Sequence, residues 1–151
     1  MKNVLYLQEM GMFDKLIANL NASKKTIVFP EGEDARILSA ADRLLKEGLM
    51  GVILCGNVDA VKAAADKGGF DISAAEILDP ETYPEMDALV SQMVELRKGK
   101  MTEEEVRAAL KKSNYFGTML VKAGKADALL GGATYSTADT VRPALQIIKT
   151  K

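Results

Sequence analysis

A glycine-rich segment with hydroxyl side chains, Gly131 to Thr137, is the part of the sequence best suited to binding an anion. Its two glycines let the backbone approach a ligand closely, and the hydroxyls of Thr134, Ser136 and Thr137 can donate hydrogen bonds. A helix is predicted to begin at Ser136 or Thr137, and the free N–H groups of a helix start favour anions. The spacing matches neither a Walker loop nor a dinucleotide fingerprint. The same residues also suit a tight turn with ordinary capping side chains, so both interpretations stay open.

A second polar segment, residues 30–36, carries three carboxylates at the predicted start of a helix: Glu31, Glu33 and Asp34. Such carboxylates could bind a divalent cation or act as acid and base. Because no further ligands are evident, helix capping and solvation is the favoured interpretation, since the helix dipole stabilises negative charge at this end. Arg36 lies within the first helical turn, so its side chain should lean back towards the end of the preceding strand.

Two further arginines are candidate phosphate ligands. Arg97 is the next position on the helical stripe formed by Met86, Val90 and Met93, and its planar guanidinium suits a phosphate. The plain alternative, which geometry alone favours, is a cation at a helix C-terminus whose aliphatic stem covers apolar surface. Arg142 is expected about one turn into the last helix, close to the hydroxyl-bearing loop.

Composition excludes several kinds of chemistry. The 151 residues include no histidine and one cysteine, and the net charge of the chain is -1. Histidine is thereby excluded as a general base or metal ligand, and the charge excludes the basic field that nucleic-acid binding needs. No apolar run approaches the ~20 residues of a membrane span. Cys55 lacks an evident group to lower its pKa, so we expect a small buried hydrophobe. We expect no metal site, no nucleic acid or membrane partner, and a cytoplasmic location.

Apolar runs and helical stripes alternate along the chain, which predicts an α/β protein. The expected strands are residues 26–29, 52–55, 75–78 and 126–130. The expected helices are residues 12–20, 34–47, 84–97 and a last one from 136 or 137 towards 149, with three more beginning at Asn57, Thr102 and Ser113. Pro143 would be tolerated only in the first turn of the last helix, or would kink it.

This order of elements predicts a three-layer α/β/α fold with a mostly parallel sheet. Strands at residues 26–29 and 52–55 contain no charged residue, as is typical of strands covered on both faces. In open α/β sheets ligands bind beyond the carboxyl ends of the strands. Residues 30–36 and 131–137 both follow predicted strands and should therefore lie at that edge.

Four blocks of the sequence, in order, resemble the phosphate acetyltransferase (phosphotransacetylase) family. They are VFPEG at 28–32 with Asp34 and Arg36, ELRKGK at 95–100, NYFGTML at 114–120, and ADALLGGA at 126–133 followed by STADTVRPALQ at 136–146. The resemblance extends from about Met12 to the end of the chain.

The resemblance implies an enzyme that moves an acetyl group between coenzyme A and phosphate, without a metal or a tightly bound cofactor. It also implies a homodimer and a fold similar to the isocitrate and isopropylmalate dehydrogenases, with the active site in a cleft between two α/β domains. Arg36, Arg97 and Arg142 match family arginines implicated in binding coenzyme A or phosphate. Ser136 and Thr137 match positions in a loop that lines the cleft.

The chain departs from the family in length, because family members are considerably longer. We therefore expect residues 12–151 to be the N-terminal α/β domain and residues 1–11 to be an extension or tag remnant. The second domain and a returning segment, with the Ser, Arg and Asp thought to assist thiolate formation, would be absent. On that basis none of the residues present is expected to be catalytic, and the chain alone should be inactive.

Three other interpretations remain open from the sequence. A butyryl-transferring relative would differ mainly in its acyl pocket. A non-catalytic domain that binds coenzyme A metabolites would resemble the domains fused to malic enzymes. A self-associating structural module is the third, because an incomplete sheet leaves edges and apolar surface exposed.

Overall fold

A computed structural model describes residues 25–148 of the chain, and within them lies one four-stranded parallel sheet. Its strands are β1 (Thr26–Phe29), β2 (Gly51–Cys55), β3 (Glu76–Leu78) and β4 (Ala128–Leu129). Their order is β3-β2-β1-β4, and every neighbouring pair is parallel. The expected extension at residues 1–11 and the expected helix at 12–20 lie outside the described residues.

Six α-helices accompany the sheet within this range, and most begin at the caps that the sequence predicts. They are α1 (Ala35–Lys46), α2 (Val58–Gly68), α3 (Met86–Leu96), α4 (Glu103–Leu110), α5 (Ser113–Lys122) and α6 (Thr137–Pro143). Side-chain oxygens of Asp34, Asn57, Thr102 and Ser136 accept backbone N–H groups at the starts of α1, α2, α4 and α6.

The side chains of β1 and β2 point alternately to the two faces of the sheet, and the core therefore has two parts. Val28, Ile53 and Cys55 pack with buried residues of α3, α4 and α5 on one face of the sheet. Phe29 and Leu54 pack with buried residues of α1 and α2 on the other face. Successive side chains of a strand point to opposite faces of the sheet. Because β1 and β2 contain no charged residue, their side chains can be buried on both faces. The three-layer α/β/α prediction is confirmed.

The strand predicted at residues 126–130 is shorter than expected. Asp127 donates its backbone N–H to the carbonyl oxygen of Thr26 and accepts the Thr26 N–H with its side-chain Oδ2, each at 2.8 Å. A carboxylate therefore replaces a main-chain acceptor where β4 begins. At the other end Leu130 is exposed, and regular pairing covers only Ala128 and Leu129.

Two helix predictions need correction. Ser113 is the first residue of α5 and not its cap; Lys112 holds the cap position and makes no side-chain cap bond. The last helix does not continue as an α-helix past Pro143, because residues Ala144–Ile148 form a π-helical segment. Proline has no N–H, and its ring clashes with the preceding turn. The regular series of α-helical hydrogen bonds is therefore interrupted at Pro143.

Among residues 25–148, none of the helices has the length and apolar character needed to cross a membrane.

Candidate functional site

A cleft of about 480 Å³ lies at the carboxyl edge of the sheet, where the sequence places it. Its walls come from the turn between β1 and α1, the exit of β2, the start of α5 and the loop after β4. The residues that line it are Pro30, Glu31, Gly32, Glu33, Asp34, Cys55, Gly56, Ser113, Thr134 and Tyr135. The two predicted polar segments therefore meet at one site.

The carboxylate of Glu31 is held by the backbone of the glycine-rich loop. Its Oε1 accepts the N–H groups of Gly132 at 2.6 Å and Ala133 at 3.0 Å. Its Oε2 accepts the N–H groups of Thr134 and of Tyr135, the latter at 3.0 Å, and the Thr134 hydroxyl at 2.6 Å. Four consecutive amides and one hydroxyl thus converge on a single side chain that is only 7% exposed.

The hydrogen bonds keep Glu31 ionised in spite of its burial. Burial acts to raise the pKa of this carboxyl, but the bonds from Thr134, Tyr135 and Ala133 outweigh it and hold the pKa below the ordinary value of 4.5. The loop amides therefore hold the protein's own Glu31 carboxylate, whereas the sequence interpretation of an anion cradle concerned a ligand. The prediction that Glu31 is a solvated or capping carboxylate is wrong.

Asp34 and Arg36 brace the same loop from outside. Arg36 contacts both carboxylate oxygens of Asp34, through Nε at 3.1 Å and Nη2 at 3.0 Å, and its Nη2 donates to the Ala133 carbonyl at 2.5 Å. Asp34 also accepts the Arg36 backbone N–H at 2.8 Å, which confirms its capping role. The pairing lowers the pKa of Asp34 and raises that of Arg36. The Arg36 side chain remains 71% exposed, so it also faces solvent.

Glycine is required at Gly32 for the β1–α1 turn to close against β2. The Gly32 N–H donates to the Cys55 carbonyl at 3.1 Å. A Cβ added at Gly32 would lie 2.6 Å from that same carbonyl oxygen. No L side chain fits this approach unless the backbone moves.

Tyr135 and Cys55 form the less polar part of the cleft wall. Burial raises the pKa of the Tyr135 phenol and the charge of Glu31 raises it further, against hydrogen bonds from Ser113 and Asn114. Burial raises the pKa of the Cys55 thiol to about 12. The thiol is therefore neutral near pH 7, and the prediction of a small buried hydrophobe is confirmed.

Ser136 and Thr137 directly follow the cradle. The Ser136 hydroxyl accepts the Asp139 N–H at 3.1 Å and donates to the Asp139 carboxylate at 2.9 Å. Thr137 is the exposed first residue of α6. The predicted start of the last helix is thus confirmed.

Arg142 lines a second cavity of about 410 Å³ next to the cleft, and Tyr135 lines both. Lys111, Lys112 and Asp139 also line this cavity, so three cationic side chains and one carboxylate border it. Arg142 itself is exposed.

Arg97 lies apart from these residues. It is the half-buried C-cap of α3 and is not among the residues that line the cleft. Within residues 25–148 its Nε is buried without a hydrogen-bond partner. The structure thus brings Arg36, Ser136 and Thr137 together around the cradle, with Arg142 beside them.

Sequence reasoning missed the pairing of Glu31 with the loop. The two partners lie 101 to 104 positions apart, so no local spacing connects them. The available signals were a carboxylate directly after a buried strand and a glycine-rich loop after another. A shared sheet edge would have been the reason to pair them.

The fold and the cleft define an open α/β protein with a cleft at the carboxyl ends of its parallel strands, the edge at which such sheets generally bind ligands. Residues 12–151 match the family model described as phosphate acetyl/butaryl transferase. The chain belongs to this family.

Named relatives agree with the family match. A phosphate acetyltransferase of Staphylococcus epidermidis is 52% identical over 132 residues, which are 87% of this chain and 40% of that protein. One of Bacillus subtilis is 54% identical over 125 residues, 83% of this chain and 39% of that protein. The chain therefore spans about 40% of the length of the curated relatives it matches.

Two solved structures share the fold. The EutD phosphotransacetylase from Staphylococcus aureus superimposes with a TM-score of 0.88 at 48% identity, covering 94% of this chain and 43% of that one. A phosphotransacetylase from Streptococcus pyogenes gives a TM-score of 0.89 at 46% identity. The match covers 94% of this chain and 43% of that one.

Proposed function

We propose that this chain is the N-terminal, ligand-contacting part of a phosphate acetyltransferase, which converts acetyl-CoA and phosphate reversibly into acetyl phosphate and CoA. The observation that carries the proposal is the identity of about half of the residues, over most of this chain, with relatives of that name. Acetyl is proposed and not butyryl, because these relatives are named for acetyl transfer.

The transfer makes three physical demands on a site. The thiol of CoA must lose a proton, the thiolate must be aligned with the acyl carbon, and the charge that develops on oxygen must be stabilised. Two of the three carboxylates lining the cleft are already engaged, Glu31 by the loop and Asp34 by Arg36. The third, Glu33, is exposed to solvent. Because the chain spans about 40% of the length of its relatives, we propose that it lacks the catalytic base and is inactive or nearly so on its own.

The arginines and hydroxyls support a role in binding. We propose that Arg36, Arg142, Ser136 and Thr137 contact the phosphate groups of the substrates at the cleft. Arg36 keeps an exposed guanidinium beside the cradle, and Arg142 contributes to a cationic cavity next to it. A guanidinium fork can bind phosphate through two hydrogen bonds. Arg97, whose Nε lacks a partner within residues 25–148, is proposed as an outlying contact for CoA.

The remaining expectations form part of the same proposal. CoA and acetyl-CoA are substrates and not resident cofactors, and the protein acts in the cytoplasm without nucleic acid or membrane partners. We propose residues 12–151 as the domain and a homodimer as the assembly. Exposed Val141, Leu145 and Ile148 near the C-terminal end support self-association, because apolar side chains at 38–61% exposure favour contact with another surface.

Calorimetric titration with CoA and with dephospho-CoA tests the binding proposal. We expect millimolar or tighter binding of CoA, weakened several-fold by loss of the 3′-phosphate and by Arg142→Ala or Arg97→Ala. Arg43→Ala is the matched control, because Arg43 is an exposed arginine of α1 that pairs only with Glu47 among the described residues. Equal binding by all variants would contradict the assigned residues, and no binding at millimolar CoA would contradict a ligand-contacting role for the isolated chain.

A further inference from the structure

The amides of residues 132–135, here called the nest, bind the Glu31 carboxylate, and we propose that Glu31 is thereby the positioning residue for the start of α6. The cavity vacated by this side chain should accept a small free carboxylate. This role of Glu31 does not depend on whether the chain binds CoA.

Four consecutive loop amides surround one carboxylate. The N–H groups of Gly132, Ala133, Thr134 and Tyr135 all point at the two oxygens of one carboxylate. Successive amides that converge in this way make a concave site for an anion. Gly132 has a φ of 108°, a left-handed value that glycine adopts without strain, so the sequence supports this turn of the backbone.

The nest also compensates the buried charge of Glu31. A buried charge is costly unless it is compensated by hydrogen bonds, and bonds to an ionised acceptor are stronger than neutral ones. Glu31 receives five such bonds, whereas the adjacent Glu33 is exposed and lines the same cleft. The other groups that act on this charge or lie beside it are Arg36, Asp34, Tyr135 and Cys55.

The nest connects two elements that are distant in sequence. Glu31 follows β1, and residues 132–135 lead from β4 into the Ser136 cap of α6. One side chain therefore links a central strand to the segment that leads into the helix carrying Thr137 and Arg142. The same four amides are therefore unavailable to a substrate phosphate.

The test uses Glu31→Ala and the backbone amide resonances of residues 132–135. We expect these resonances to move by several tenths of a ppm on loss of the carboxylate, and their exchange with solvent to accelerate at least tenfold. Added formate should restore them saturably towards their positions in the unmodified chain. Glu33→Ala is the matched control, because it removes the neighbouring cleft carboxylate without touching the loop.

The opposite results would overturn the proposal. These are unchanged amide resonances in Glu31→Ala, or a folded Glu31→Ala whose loop amides do not respond to formate. If Glu31→Ala does not fold, acid titration of the unmodified chain decides. The four amides should then titrate together with one midpoint, and amides that titrate independently or not at all would refute the nest. CoA binding is not a readout here, so failure of this proposal and failure of the proposed function are distinguishable.

Discussion

The side-chain amide of Asn114 donates a hydrogen bond of 2.9 Å to the backbone carbonyl of Asp139, the residue four positions before Pro143. In a regular helix the N–H of residue 143 would serve that carbonyl, but proline has none. Asn114 therefore supplies the donor that Pro143 lacks. Two sequence blocks that resemble the family, residues 114–120 and 136–146, meet through this bond.

We predict that Asn114→Ala lowers the free energy of unfolding by about 1–3 kcal/mol, because it leaves a partly buried carbonyl without its donor. The loss should be smaller in a Pro143→Ala background, where the backbone N–H of residue 143 can serve Asp139 directly. Denaturant unfolding of the four chains measures this coupling. Strictly additive losses would contradict the role assigned to Asn114.

Gly32→Ala should destabilise the chain by about 1–3 kcal/mol, because the added methyl would overlap the Cys55 carbonyl and push apart β2 and the β1–α1 turn. Gly51→Ala is the comparison, since its new Cβ would meet the Thr26 hydroxyl, a side-chain atom, at 2.8 Å. In thermal unfolding, the melting temperature of Gly32→Ala should be clearly lower than that of Gly51→Ala. Equal melting temperatures would mean that the turn can move.

Stability should fall with acid in a way that depends on Glu31. Its folded pKa is lowered, so its contribution is fully present above the ordinary pKa of 4.5 and is lost as pH falls through the folded value. Asp34 and other carboxylates titrate in the same region, so the informative quantity is the difference between the unmodified chain and Glu31→Gln. We expect that difference to be largest near neutral pH and to shrink below pH 4.5. Urea unfolding at a series of pH values measures it; a difference independent of pH would exclude ionised Glu31 as its source.

Arg36→Lys should loosen the loop without large global destabilisation. The Arg36–Asp34 pair is exposed on the arginine side, and exposed ion pairs contribute little to stability because solvent screens them. A lysine cannot bind Asp34 and the Ala133 carbonyl with the same fork, so amide exchange in residues 132–135 should accelerate. Arg43→Lys should leave that exchange unchanged, and equal exchange in both variants would exclude a bracing role for Arg36.

Cys55 should resist alkylation in the folded chain. It is 1% exposed and its pKa is raised to about 12, so both access and thiolate are lacking at pH 8. We expect modification by iodoacetamide only at the rate of local or global opening, and rapid modification in denaturant. Rapid labelling of the native chain at pH 8 would contradict the burial of this thiol.

Local rules predicted much of the architecture from the sequence. Apolar runs identified β1 and β2, because strands covered by helices on both faces need apolar residues in succession. Capping chemistry identified Asn57, Thr102 and Ser136, since each side chain accepts an N–H only three residues away. The sheet edge that gathers the two polar segments followed from the parallel order of the elements.

Other features were decided by contacts between distant parts of the chain. Capping explains Asp34 but not Glu31, because only the tertiary structure brings β4 beside β1 and sets the loop amides around that carboxylate. The same holds for Asn114 and Asp139, which lie 25 positions apart and compensate for Pro143. Local sequence specifies which groups need partners; the packing of β1 against β4 and of α5 against α6 specifies which partner each group receives.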